Sequence, residues 1–113
     1  MRRVMDYAAM LKKPVIQHAE DKALAGLTNA SDTTIRGEMN ESEMSTRLGL
    51  VGIPSCAEVI IIERDIRLAK LTGAHYHVSH VSTRESLDVI RKAKKEGIKI
   101  TCDTSPPYFY LNE

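Results

Sequence analysis

The chain has 113 residues, 42% of them apolar and 27% charged, with 16 Lys and Arg against 15 Asp and Glu. That length fits one domain over 1–113 and a core that needs no disulfide staples. A net charge of +1 with scattered basic residues argues against nucleic acid as a partner, which calls for a basic stripe or patch.

No apolar run approaches the roughly 18–20 residues that span a bilayer. The Met1-Arg2-Arg3-Val4 start has no secretory apolar region, so a cytoplasmic location is expected. Cys56 and Cys102 are the only cysteines. Without CxxC spacing they read as reduced thiols, not as a zinc or disulfide framework.

Residues 2–12 place Val4, Tyr7, Ala8 and Leu11 at helical spacing, and Pro14 follows the helix end. Pro14 to His18 reads as a short strand with proline at its first residue. From about 20 to 54 the chain holds Gly26, Gly37, Gly49 and Gly52 among Asn29, Ser31, Asp32 and Asn40. That stretch is expected to be mainly a long loop, a candidate lid or site loop.

Ser55 and Glu58 then form a capping-box pattern ahead of Val59, Ile62, Ile66 and Ala69, with Gly73 just past the helix end. Ala74 to Val81 has the β-branched and tyrosine content of a strand. A second capping box, Ser82 with Glu85, opens a helix that carries Leu87, Ile90 and Ala93 and closes at Gly97. Ile98 to Cys102 is the next strand. Three strands alternating with three helices imply an α/β fold with a parallel sheet and right-handed crossovers.

All four histidines, His18, His75, His77 and His80, fall at or beside strand C-terminal ends, where parallel α/β folds gather their ligands. Strand alternation puts Tyr76, Val78 and His80 on one face and His75, His77 and Ser79 on the other. With Ile16 and His18 sharing a face of the earlier strand, His18 and His80 are expected to point inward together. Two imidazoles there suit a divalent ion such as zinc. Taken alone, a strand histidine is more often a hydrogen-bonded residue than a ligand. A catalytic zinc also needs about three protein ligands. Glu20, Asp21 and Asp103 are nearby acids that read as loop or helix-start carboxylates, and Glu41 and Glu43 read as solvated.

The ordered motifs go further. His18-Ala19-Glu20-Asp21, Met39-Asn40-Glu41, Leu48-Gly49-Leu50-Val51-Gly52-Ile53-Pro54, Thr72 through Thr83 with its His77-Val78-Ser79-His80-Val81-Ser82-Thr83 core, and Thr101 through Phe109 closely resemble the central part of bacterial dihydroorotases. Hydantoinases share some of these elements, but the Leu-Gly-Leu-x-Gly-Ile-Pro segment favours dihydroorotase. The resemblance implies a (β/α)8 barrel of the amidohydrolase superfamily, of which this chain supplies roughly strands five to seven. It implies reversible, zinc-dependent ring closure of N-carbamoyl-L-aspartate to dihydroorotate in pyrimidine synthesis, with His18 and His80 as metal ligands.

Other parts of the family pattern are absent: the His-x-His pair, the bridging lysine or aspartate, and the substrate-clamping Arg and Asn. The general-base Asp is expected beyond Glu113. Pro106-Pro107-Tyr108 stands where many relatives carry Pro-His-His. A barrel of this kind takes about 200 residues or more. The expectation is therefore a partial barrel whose activity depends on completion by missing strands. The alternative is a truncated, non-catalytic interaction protein, homo-oligomeric or bound to aspartate transcarbamoylase, its open sheet edges inviting assembly.

Overall fold

In the computed structural model, residues 1–26 and 36–111 are described. Their elements in order are α1 (Arg2–Met10), β1 (Pro14–His18), β2 (Met39–Asn40), α2 (Glu43–Leu48), β3 (Gly52–Ile53), α3 (Cys56–Thr72), β4 (His75–Ser79), α4 (Arg84–Lys95), β5 (Ile100–Cys102) and α5 (Pro107–Tyr110). The main sheet is parallel, in the order β1-β4-β5. Ile16 lies opposite His77, His18 opposite Ser79, and His77 opposite Thr101.

One face of this sheet is covered and the other is bare. Val15, Tyr76, Val78 and Ile100 are buried together with Met5 of α1, Ile61, Ile62 and Ile66 of α3, and Ile90 and Ala93 of α4. The alternate residues tell the opposite story: Ile16 is 66% exposed, His75, His77 and Ser79 are half-buried, and Thr101 is exposed. A period of two along each strand thus sends apolar side chains to the helices and polar ones to the open face.

Several local expectations need correction. The buried side of α1 is Met5, with Ala8 and Ala9 packed on the core, while Val4, Tyr7 and Leu11 face outward. Ser55 makes no side-chain cap on α3: its backbone is already right-handed helical and its carbonyl takes the Glu58 amide, while the Glu58 carboxylate goes to Ser82 and Thr83. The cap of α4 is Thr83, one residue later than expected, and its hydroxyl accepts from the Ser86 amide.

The expected loop over 20–54 is not continuous. Ser42 and Ser45 close a reciprocal cap on α2, and β2 pairs in parallel with β3, Met39 opposite Gly52 and Asn40 opposite Ile53. The serines and the two short alternating segments were hidden by the glycines around them. Asn29, Ser31 and Asp32 lie outside the described residues.

Candidate metal and catalytic site

His18 and His80 meet at the C-terminal edge of the sheet, their ring centroids 6.0 Å apart and tilted by 49°. The route to this meeting differs from simple alternation. His18 ends β1 on the bare face with Ile16, whereas unbroken alternation would send His80 to the helix side with Tyr76 and Val78. Instead β4 ends at Ser79 and His80 adopts φ +61°. That left-handed residue breaks the pleat and brings the imidazole round to the open side. Few non-glycine residues take this conformation, which carries backbone strain that the surroundings must hold.

The restraint comes from the β5 edge. The Asp103 carboxylate accepts the His80 backbone N–H at 2.7 Å through Oδ1, and Oδ2 accepts from His77 Nε2 at 2.9 Å. Around it, the Val81 amide donates to the Asp103 carbonyl and the Asp103 amide to the Val78 carbonyl. The Thr104 hydroxyl donates to the Val81 carbonyl at 2.7 Å. The His77 hydrogen bond, then the His80 backbone N–H, hold the Asp103 carboxyl below the usual carboxylate range.

An ionised Asp103 only accepts, so His77 Nε2 donates to it. His77 Nδ1 lies 2.8 Å from the Thr101 hydroxyl oxygen, and His75 Nε2 lies 2.9 Å from the same oxygen. A hydrogen-bonded row, His75 to Thr101 to His77 to Asp103, runs along the bare face to the base of His80.

From the helix side, Glu58 grips the residues after His80. Its carboxylate accepts from the Ser82 hydroxyl at 2.7 Å and from the Ser82 amide, the Thr83 amide and the Thr83 hydroxyl. Between these supports lies a cleft of about 140 Å³ lined by His18, Glu20, Asn40, Glu58, His80 and Tyr108, among others. A larger groove of about 310 Å³ runs between α3 and α4, but it carries no histidine and lies away from the imidazoles.

Not every acid named from the sequence belongs to the site. Asp21 caps its own turn by accepting from the Ala23 and Leu24 amides. Glu43 sits in the first turn of α2. Asp103 departs most from the expected loop carboxylate, since every oxygen is engaged. The signal for it was present: Thr101 and Asp103 alternate with Cys102, as His75 and His77 do with Tyr76.

Among the described residues, no group of three His, Cys, Asp or Glu side chains converges as a metal set. With metal–nitrogen bonds of about 2.0–2.1 Å, two rings on one tetrahedral ion have centroids roughly 5 Å apart, so the rings, 6.0 Å apart here, would close by about 1 Å to share one.

A family model described as "Dihydro-orotase-like" matches residues 1–86. The chain belongs to that family. Over 113 residues this dihydroorotase-like chain is 49% identical to a dihydroorotase of Endomicrobium trichonymphae and 45% identical to one of Desulforapulum autotrophicum. All of this chain is matched, but only 25% and 24% of those relatives. It therefore spans about a quarter of their length. Among solved structures, a D-hydantoinase (dihydropyrimidinase) from Thermus sp. superposes with a TM-score of 0.74 at 24% identity, covering 99% of this chain and 23% of that one. A D-hydantoinase from Bacillus sp. AR9 gives a TM-score of 0.74 at 25% identity, with 98% and 23% covered.

The family match gives the β2–β3 ladder a place. The Met39-Asn40-Glu41 and Gly52-Ile53-Pro54 motifs are distant in sequence from His18 and His80. Pairing β2 with β3 brings Asn40, Ile53 and Pro54 to the same cleft as both imidazoles.

Proposed function

We propose that this dihydroorotase-like chain forms one sector of a metal-dependent cyclic amidohydrolase barrel and contributes His18 and His80 as ligands. The reaction is the reversible closure of N-carbamoyl-L-aspartate to dihydroorotate. The observation that carries this reading is the convergence of the two imidazoles at the C-terminal strand edge, 6.0 Å between centroids. One-sided covering of a parallel sheet supports a barrel wall, with helices outside and the bare polar face turned to the lumen.

The chemistry a divalent ion held there would supply is Lewis-acid polarisation of the ring amide carbonyl. His18 and His80 offer neutral nitrogens to it, and further donors come from strands outside this sector. His80 Nδ1 lies 3.5 Å from Asp103 Oδ1, so Nε2 is the nitrogen that would face an ion, with the carboxylate beside Nδ1 as support. Asn40, Glu20 and Tyr108 line the cleft in which a small polar ring substrate sits.

The test exchanges the corresponding quarter of the Endomicrobium trichonymphae dihydroorotase for this chain. The chimera is expected to hold zinc and hydrolyse dihydroorotate. His18→Ala and His80→Ala in the chimera are expected to lower zinc content and turnover at least a hundredfold. An active chimera in which both variants keep zinc and rate would overturn the reading.

A second reading has its own observation. Val4, Tyr7 and Leu11 form an exposed apolar side on α1, each more than half exposed, and β1 ends the sheet order without a second partner among the described residues. These surfaces support association with further polypeptide: another copy of the chain, or a partner such as aspartate transcarbamoylase. Light scattering that finds a stable monomer at high concentration, unchanged by that partner, removes this reading.

A further inference from the structure

We infer that Asp103, braced by His77, is the positioning residue that sets the left-handed backbone of His80 and so aims its imidazole at His18. This rests on the reading of those two rings as ligands and extends it to residues that are not ligands themselves.

The argument starts from the cost of the conformation. His80 has φ +61°, a region that side-chain-bearing residues rarely adopt because Cβ crowds the following carbonyl oxygen. A compensating bond must hold it, and the one on the His80 amide is a short, charge-assisted bond of 2.7 Å. That same carboxylate is 47% exposed on its side chain, so it would be free to swing without a second anchor. His77 Nε2 supplies that anchor at 2.9 Å, with the Ser79 hydroxyl on the same oxygen at 3.4 Å.

His77 itself cannot turn, because Thr101 holds its other nitrogen. The chain of restraint runs from the β4–β5 ladder through two side chains into one backbone torsion. If His80 relaxed to a right-handed or extended conformation, its ring would follow the alternation of β4 toward the helices and leave His18 alone.

The test uses the full chain, observed by NMR with zinc chloride as the probe. In the parent protein the His80 amide proton is expected well downfield, with a cross-relaxation contact between the His18 and His80 rings. Asp103→Ala is expected to move the amide upfield, abolish the ring contact and weaken zinc binding about tenfold or more. Core contacts between Val15 and Tyr76 should persist. Asp103→Asn keeps an acceptor for the amide and is expected to restore the ring contact, a rescue that a merely structural role would not require.

Should Asp103→Ala fail to fold, His77→Leu provides the second reading. It leaves the carboxylate in place without its brace and should broaden the His80 amide and weaken the ring contact. An Asp103→Ala or His77→Leu protein whose ring contact, amide shift and zinc affinity match the parent overturns the proposal. If zinc binds none of the proteins while the ring contact follows the expected order, the metal reading fails and the positioning role stands.

Discussion

Glu58 and Ser82 stand 24 residues apart, and the Ser82 hydroxyl donates to the Glu58 carboxylate at 2.7 Å. This bond, with the Ser82 amide and both Thr83 donors on the same carboxylate, fastens the first turn of α3 to the start of α4 just beyond His80. Glu58→Ala leaves four part-buried donors to find water and should cost about 1–3 kcal/mol. Glu58→Gln retains acceptor capacity on one oxygen and should cost less. Urea unfolding of the three proteins checks the order, and equal midpoints would show that the clamp contributes nothing.

Tyr76 gives a pH-dependent prediction. Its ring is fully buried in the core, and the hydroxyl donates to Gln17 Oε1 at 2.9 Å. Burial first, then the negative Asp65, push its phenol well above the ordinary value, although Arg64 opposes them. The folded chain therefore keeps a proton that the unfolded chain releases near pH ~10. This contribution is fully present below that pH and is lost as pH rises, with a slope of up to about 1.4 kcal/mol per pH unit. Tyr76→Phe should be less stable at pH 8 for want of the hydrogen bond, yet lose less on going to pH 11. Parallel unfolding curves at both pH values would refute the assignment.

Much of this molecule was legible because its main layers follow simple periods. The 14–18 strand, the α3 face through Ile62, Ile66 and Ala69, and the closing glycine at 73 follow from spacing and turn chemistry alone. The α1 face did not, since Val4, Tyr7 and Leu11 fit a helical stripe as well as Met5 and Ala8 do. Only contact with β1 and α3 decides which side is buried. The capping boxes misled for a related reason: Glu58 has the right spacing to serve Ser55, but a tertiary partner offers it four donors. The pairing of His18 with His80 was legible by motif, whereas its geometric cause was not. Alternation alone would have separated the rings, and nothing local in Ser79-His80-Val81 announces a positive φ; the acceptor that holds it lies 23 residues away at Asp103.

Gly52 and Gly73 should fail in different ways when replaced by alanine. A Cβ on Gly52 would stand 2.6 Å from Glu41 Cα, a backbone atom that cannot step aside without breaking the β2–β3 pairing. Gly73 has open space around it but sits at φ +71°, where the penalty is conformational, about 1 kcal/mol. Gly73→Ala should lower stability by that amount and leave the cleft intact. Gly52→Ala should displace Asn40 and Ile53 from beside His18 and His80, visible as shifts in the imidazole resonances of both. The opposite assignment of effects would contradict the β2–β3 pairing.

The strain at His80 yields the last prediction, because strain held for a site should be recoverable as stability once the site is given up. Glycine takes φ +61° without penalty, so His80→Gly should be more stable than His80→Ala by about 1 kcal/mol. Both variants lose the ring and hence the partner of His18. The comparison isolates backbone cost, since the imidazole is absent from each and is 57% exposed in the parent, so little packing is forfeited. Thermal unfolding of the pair gives the difference directly. Equal stabilities would mean that the alanine variant relaxes out of the left-handed region. In that event the backbone amide of residue 80 should exchange with solvent faster in the alanine protein than in the glycine protein, since it no longer reaches the Asp103 carboxylate.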